Sequence, residues 1–214
     1  TILGYLCALS GQNERASQLF GETLEVDPLT PINHAMPGII AIMEGRYSDA
    51  LPHYRRFLQM DPKNPFAIWA WSYVLLRNGR VDEASKAVFE LNTEHAGSVL
   101  AQLGTSLYHG IRGEPAAARE ALTGELRAAA RNSELVSREL THCLALAGET
   151  EEALSWLENT VRIGNVNYPF WSQHNEWVDF IRGASRFDEL MRDVEQEWLS
   201  ATSRLSTIDS VTAA

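Results

Sequence analysis

The sequence predicts an all-α fold in which a pair of helices repeats along the chain, and three regularities support this prediction. Glycines recur at gaps of 34, 34, 34 and 35 residues, at Gly11, Gly45, Gly79, Gly113 and Gly148. An alanine follows each glycine after five residues, at Ala16, Ala50, Ala84, Ala118 and Ala153. A larger apolar residue lies four positions beyond each alanine and so on the same helix face, at Phe20, Tyr54, Val88, Leu122 and Leu157. An interval of about 34 residues is typical of a unit made of two helices and two turns.

The order of residues within a unit assigns a role to each element. The glycine ends the first helix, because it adopts without strain the left-handed conformation that closes many helices. The second helix begins just after it: Asn13 and Thr150 are N-cap residue types, and Pro115 suits a first helical turn. The alanine is expected where the second helix crosses the first, since a small side chain lets two backbones approach closely.

Prolines mark the end of the second helix in the first two units. Pro28 and Pro62 stand at this position, and a proline cannot continue a helix. Ala96 and Ala130 occupy the same position in units three and four, so the ends of those helices are less sharply defined by the sequence.

This pattern resembles the tetratricopeptide repeat, which has an apolar–glycine pair in its first helix, glycine at the turn and alanine in its second helix. Leu3-Gly4 fits that pair, whereas unit two has Pro37-Gly38 and unit three has Trp71-Ser72. Unit four has Leu103-Gly104 two residues early, so its first helix is expected to be longer or shifted. The resemblance covers about five units over residues 1–162 and implies a right-handed α-α superhelix. Other αα-solenoids, such as HEAT or Sel1-like arrays, and a compact helical bundle are the alternatives.

The repeat stops after Ile163, and the rest of the chain is predicted to cap the last unit. Residues 163–205 combine a loop with capping helices, and residues 206–214 are expected to form a disordered tail. A solenoid needs a cap because its terminal apolar face has no neighbouring unit. The aromatic residues expected to cover the last unit are Trp171, Trp177, Phe180 and Phe187.

The same segment resembles the C-terminal region of bacterial multidomain regulators, which include receptor-like Ser/Thr kinases, nucleotide cyclases and winged-helix activators. The matching strings are Asn167-Tyr168-Pro169-Phe170, His174-Asn175-Glu176-Trp177 and Ile181-Arg182-Gly183. Asn175-Glu176 and Ala184-Ser185 depart from the Asp-Pro pairs of that motif. The resemblance implies a longer parent protein with an output domain, and the repeat-like pattern already present at Thr1 leads to the same expectation.

The composition argues against several classes of partner. The formal net charge is −10 and the isoelectric point is about 5.1, so phosphates and anionic membrane surfaces would repel the chain. No apolar run approaches the roughly 18 residues of a membrane span. We therefore expect no nucleic-acid partner, no membrane partner and a cytoplasmic location. Cys7 and Cys143 lie in apolar helical stretches and are expected to be buried thiols.

The sequence shows no catalytic, metal-binding or cofactor-binding pattern. The six histidines form no i, i+4 pair with an intervening glutamate, and neither Cys-x-x-Cys nor G-x-S-x-G occurs. A Ser-His-Asp triad assembled in space is not excluded by sequence. We expect no enzyme activity, no cofactor and no metal, and an enzyme with a site in the groove is the least favoured hypothesis.

The resemblance to the tetratricopeptide repeat also implies a concave face, lined by the first helix of each unit, that binds another polypeptide. The residues carried over onto that face are Tyr5, Leu9, Ala35, Ile39, Met43, Phe66, Trp69, Tyr73, Arg77, Leu103, Leu107, Arg138 and His142. The middle of the set is apolar and aromatic, so Met43, Trp69 and Tyr73 are expected to anchor an amphipathic helix or an extended peptide. Apolar residues also stand where carboxylate-clamp repeats carry Lys, Asn and Arg, which argues against that subfamily.

The sequence thus predicts a protein-interaction module that binds a peptide or helix and serves as the scaffolding or sensory arm of a larger bacterial protein. A self-association module that forms a homodimer is the alternative.

Overall fold

The computed structural model describes residues 2–212, with side chains described through Arg204. Within this range the chain forms twelve α-helices: α1 Ile2–Leu9, α2 Asn13–Val26, α3 Met36–Met43, α4 Tyr47–Met60, α5 Pro65–Arg77, α6 Val81–Glu94, α7 Val99–Ile111, α8 Pro115–Glu120, α9 Gly124–Ala130, α10 Glu134–Leu146, α11 Thr150–Arg162 and α12 Ser185–Thr212. Two 3₁₀-helices, Pro31–His34 and Glu176–Ile181, and a π-helix, Phe170–His174, complete the helical elements.

The first eleven α-helices form five stacked units, four with two helices each and one, unit four, with three. The first helices of the units are α1, α3, α5, α7 and α10, and each packs against the helix or helices that follow it. The five turn glycines all have φ between +67° and +78°, the left-handed region that favours glycine. All five repeat alanines are fully buried, as expected for positions where two helices cross closely. Both signals used to find the units therefore correspond to the backbone features assigned to them.

The second helix of unit four departs from the simple pair, because it is divided into α8 and α9. Thr123 lies between the two helices, and its side-chain oxygen accepts a hydrogen bond from the Leu126 backbone N–H at 3.3 Å. This is an N-cap interaction, and it begins a new helix at Gly124.

The C-terminal segment folds back into the concave face instead of covering only the end of the solenoid. Trp171 and Trp177 are buried there, and Phe187 at the start of α12 is also buried. Phe180 does not share this role, since 68% of its surface is exposed. It lies in the short 3₁₀-helix Glu176–Ile181, and the buried residues of that helix, Trp177, Val178 and Ile181, lie on its other side.

The last helix connects the fifth unit with the first. Near its start, the Arg186 guanidinium donates a 2.7 Å hydrogen bond to Glu158 of α11. Farther along, Thr202 accepts a hydrogen bond from the Gln12 side chain at 2.8 Å. Trp198 packs on the α1–α2 turn so closely that a Cβ at Gly11 would lie 2.5 Å from the indole nitrogen.

The backbone of α12 continues to Thr212, so residues 206–212, expected to belong to a disordered tail, are helical. No proline or glycine occurs after Ser185 to end the helix. Residues 213 and 214 lie outside the described part of the chain. Among the helices of residues 2–212, none combines the length and the apolar character needed to cross a bilayer.

Candidate functional site

The concave face is divided into a part covered by the chain's own C-terminal segment and a part that remains an open apolar pocket. The covered part lies against α5 and α10, where the segment of residues 165–181 is seated. The pocket lies beside it, between α1, α3, α5 and the start of α10.

In the covered part, one asparagine of the C-terminal segment, Asn175, forms hydrogen bonds to two helices. The Asn175 side-chain oxygen accepts a hydrogen bond from Arg77 of α5 at 3.0 Å, and its nitrogen donates to His142 of α10 at 2.8 Å. The Trp177 ring packs over the Arg77 guanidinium, whose carbon lies 3.5 Å from the ring centroid. The Trp177 and Tyr73 rings meet edge to face, with their centroids 5.3 Å apart. All of these side chains are buried, so the segment replaces solvent over this part of the concave face.

A buried chain of charges lies beneath this contact, along α10. Arg138 donates to Glu134 at 2.9 Å and to Glu139 at 2.5 Å, and Glu139 contacts His142 at 3.0 Å. Burial alone would raise the pKa of Glu139, but Arg138 and His142 hold it below its ordinary value. Burial lowers the pKa of His142 to about 4, against the opposing effect of Glu139.

Glu134 also joins the first unit to the fifth. Tyr5 of α1 donates a hydrogen bond from its hydroxyl to Glu134 at 2.5 Å, across the concave face. Burial and the neighbouring Glu134 carboxylate raise the pKa of Tyr5 well above its ordinary value, so its hydroxyl stays protonated. Glu134 in addition accepts a hydrogen bond from Asn165 of the C-terminal segment at 2.7 Å. One carboxylate therefore fixes the relative positions of α1, α10 and the C-terminal segment.

The open pocket has a volume of about 360 Å³. Its lining comprises Ile2, Tyr5, Ile32, Ala35, Met36, Ile39, Ile42, Met43, Tyr54, Phe66, Trp69, Tyr73, Leu135 and Arg138. Only Arg138 in this set carries a charge, and its guanidinium is already paired with Glu134 and Glu139. The pocket is thus suited to an apolar guest.

One wall of the pocket is a row of aromatic rings on α5. Phe66, Trp69 and Tyr73 are spaced three and four residues apart, which places them on one helix face. The ring centroids lie 5.6 Å apart for Phe66 and Trp69 and 5.4 Å apart for Trp69 and Tyr73. Asn64 fixes the start of this helix, because its side-chain oxygen accepts a hydrogen bond from the Phe66 backbone N–H at 2.9 Å.

The structure brings most of the predicted concave residues together. Those that line the pocket are Tyr5, Ala35, Ile39, Met43, Phe66, Trp69, Tyr73 and Arg138. Arg77 and His142 face the same side but hold Asn175, so in this structure they bind the chain's own segment.

The predicted set of concave residues was wrong at three positions, Leu9, Leu103 and Leu107. Leu103 and Leu107 are fully buried and Leu9 is 3% exposed, and none of the three belongs to the lining of the pocket. For the two α7 residues the reason is that α7 packs against α5, α6, α8 and α10, which leaves its inward face inside the solenoid.

Several pocket residues were not predicted. Ile32 belongs to the 3₁₀-helix before α3, and Leu135 lies in the first turn of α10, outside the positions carried over from the repeat. Tyr54 reaches the pocket from α4, the second helix of its unit.

The described residues contain no cluster of three or more His, Cys, Asp or Glu side chains that could hold a metal ion. Cys143 is fully buried, and burial raises the pKa of its thiol well above the ordinary value. His142 is enclosed by aromatic rings, among them Phe170 and Trp171.

Comparison with known proteins supports the fold. Residues 41–105 match the family model of the tetratricopeptide repeat. The solved structure of PilF from Pseudomonas aeruginosa is similar over 94% of this chain and 94% of its own, with a TM-score of 0.50 and 20% sequence identity. Comparison with curated proteins gives no match. The molecule is an all-α solenoid of the tetratricopeptide type, and repeats of this type generally mediate protein–protein interactions.

Proposed function

We propose that the protein is an interaction module that binds an apolar, aromatic-containing segment of a partner polypeptide in the pocket between α1, α3, α5 and α10. The observation that carries this proposal is the contrast within the concave face. The chain fills one part with its own aromatic segment and leaves an apolar pocket of about 360 Å³ open beside it. That volume falls within the range of roughly 300–1,000 Å³ found for ligand pockets.

The chain's own C-terminal segment supports an aromatic guest. Trp177 already packs edge-on against Tyr73, the last ring of the aromatic row on α5. The other two rings of that row, Phe66 and Trp69, face the pocket. A partner could place an aromatic or large aliphatic side chain against Phe66 and Trp69. That contact would resemble the one that Trp177 already makes with Tyr73 on the same helix.

The energetics require more than one anchor. Burying one large apolar side chain contributes about 1.5–3 kcal/mol, whereas a micromolar complex needs about 8 kcal/mol of net binding free energy. We therefore expect at least two apolar side chains in the pocket. Side chains three or four residues apart on an amphipathic helix present such a pair on one face.

The test is selection of partner peptides followed by comparison of two variants. Random peptides displayed on phage would be selected on the parent protein, and the binders synthesised and measured by calorimetry. Ile39→Phe adds volume at a half-buried pocket wall and is expected to weaken binding at least tenfold. Leu51→Phe makes a similar change at a half-buried position outside the pocket and should leave affinity within twofold. Equal binding by both variants, or binders without apolar anchors, would contradict the proposal.

The wider context is proposed on separate grounds. The resemblance of the C-terminal motif supports a role as the scaffolding or sensory arm of a larger bacterial regulator located in the cytoplasm. The sequence of the complete gene and the distribution of a tagged full-length protein in cells test these points. Self-association stays an alternative, and sedimentation of the purified chain at high concentration tests it.

A further inference from the structure

The apolar pocket contains one polar group that the fold leaves unused, the hydroxyl of Tyr54. Tyr54 is 7% exposed and lines the pocket from α4. Its hydroxyl has no hydrogen-bond partner among the described residues, and protein atoms do not enclose it. Besides burial, the groups that shift the pKa of Tyr54 lie on α1, α5 and α10, which border the pocket: Tyr73, Arg138, Glu139 and Tyr5. The hydroxyl is therefore directed into the pocket.

The repeat register shows that the fold does not need this hydroxyl. In the other four units the same position carries an apolar residue: Phe20, Val88, Leu122 and Leu157. Phe20 packs its ring against Gly4 as Tyr54 packs its ring against Gly38, so that an added Cβ would lie 2.6 Å and 2.8 Å from the respective rings. A phenyl ring thus fills this position in unit one, and packing does not account for the hydroxyl in unit two.

A second phenol in the pocket offers the same kind of group. The Tyr73 hydroxyl accepts a hydrogen bond from Arg77 Nε at 3.2 Å and donates to none of the described residues. Burial raises the pKa of Tyr54 well above its ordinary value and the pKa of Tyr73 to about 12, so both hydroxyls stay protonated. Each phenol therefore keeps a proton that a guest can accept.

The charges around these phenols favour a neutral acceptor. Arg77 and Arg138 carry positive charge, Glu134 and Glu139 carry negative charge, and burial keeps His142 neutral at pH 7. The formal charges cancel, so a carboxylate or ammonium group of a guest would lose its hydration without gaining a net opposite charge. An amide carbonyl has two lone pairs and no charge, and it suits both phenol protons.

From the open hydroxyl, the register and the balance of charge, we infer that the guest carries a neutral amide carbonyl beside its apolar anchors and that Tyr54 donates a hydrogen bond to it. This inference rests on the proposed function of the pocket. In a partner polypeptide the carbonyl belongs to the backbone of an extended segment or to an Asn or Gln side chain. A guest without an acceptor would leave the hydroxyl unpaired, and this penalty makes Tyr54 a specificity-determining residue.

Three small probes with the same phenyl ring test the inference. N-acetyl-L-phenylalaninamide carries neutral amides, N-acetyl-L-phenylalaninate carries a carboxylate, and propylbenzene has no acceptor. Each would be titrated into the parent and into Tyr54→Phe and followed by the NMR signals of the protein. Tyr54→Phe should weaken binding of the amide by about fivefold or more, as expected for one lost hydrogen bond. Its affinity for propylbenzene should be unchanged or higher, and the parent should bind the carboxylate more weakly than the amide.

Three controls accompany the titrations. Tyr108→Phe removes a phenol hydroxyl on α7 outside the pocket, one that accepts a hydrogen bond from Arg112, and it should bind all three probes as the parent does. Ile39→Phe narrows the pocket and should weaken all three. Tyr54→Phe should melt at the temperature of the parent or above it, because the hydroxyl that it lacks has no partner in the protein.

The outcomes separate this inference from the proposed function. Equal affinity of the parent and Tyr54→Phe for the amide would overturn the inference. A carboxylate bound as tightly as the amide, or a lower melting temperature of Tyr54→Phe, would also overturn it. If Ile39→Phe still weakens propylbenzene in those cases, the apolar pocket itself stands. Probes that do not bind the parent, or that Ile39→Phe leaves unaffected, would contradict the proposed function and this inference together.

Discussion

Acidification should weaken this protein through one buried histidine. His142 is fully buried, and its Nδ1 lies 3.0 Å from Glu139 while its Nε2 accepts a hydrogen bond from Asn175. Neutral imidazole satisfies both contacts, with the proton on Nδ1. A second proton on Nε2 would face the Asn175 amide, which is itself a donor, and would add positive charge near Arg77. Protonation therefore opposes the contact that holds the C-terminal segment in the concave face.

The sign and size of the effect follow from linkage. The folded pKa of His142 is about 4, and the ordinary value is 6.5. Between these two values the unfolded chain binds more protons than the folded chain, so stability is full above about pH 6.5 and declines toward pH 4. The shift corresponds to about 3 kcal/mol, of which about 2 kcal/mol is lost between pH 7 and pH 5.

Urea denaturation at pH 7, 6 and 5 measures this loss in the parent and in His142→Gln. Glutamine keeps a donor and an acceptor for Glu139 and Asn175 but does not titrate in this range. We expect the parent to lose about 2 kcal/mol more than the variant between pH 7 and pH 5. Parallel pH dependence of the two unfolding free energies would refute the argument, whatever their absolute difference.

Two further predictions concern the repeat itself. Ala50→Asp should lower the free energy of unfolding by roughly 3–5 kcal/mol, because Ala50 is fully buried at a helix crossing. Ala116→Asp, on the exposed start of α8, is the control, and a thermal melt of Ala50→Asp within error of the parent would contradict the prediction. Gly79→Ala should lower the free energy of unfolding by about 1–2 kcal/mol. Gly79 has a φ of +67° and no heavy atom within 4 Å of an added Cβ, so this variant tests the backbone conformation alone. Gly124 has similar space and no positive φ, so Gly124→Ala should leave the free energy of unfolding unchanged in the same denaturation assay.

The paired helices were predictable from sequence because their signals are local. The turn glycine and the alanine five residues later act within one unit, and each unit repeats them. The aromatic row on α5 was predictable for the same reason, since its spacing of three and four residues is a property of one helix. The break at Thr123 was also encoded locally, as an N-cap residue before glycine, but the strength of the 34-residue repeat concealed it.

The covered part of the concave face was not predictable in this way. Arg77 and Asn175 are 98 residues apart in sequence, and nothing near either residue indicates that they meet. The composition of the C-terminal segment predicted burial of its tryptophans but not where they are buried. Phe180 illustrates this, because its short helix carries an aromatic residue on each of two sides. Only the tertiary contact decides which of the two sides is covered.

The bridge made by α12, together with the hydrogen bond from Tyr5 to Glu134, changes how this solenoid should come apart. In an open repeat array each unit interacts only with its neighbours, so terminal units can fray one at a time while the middle persists. Here the first unit is fastened to the fifth and to the last helix, so neither terminus can peel away alone. Removing both fastenings, the hydrogen bond between Gln12 and Thr202 and the hydrogen bond from Tyr5 to Glu134, should therefore convert a single all-or-none melt into a stepwise one.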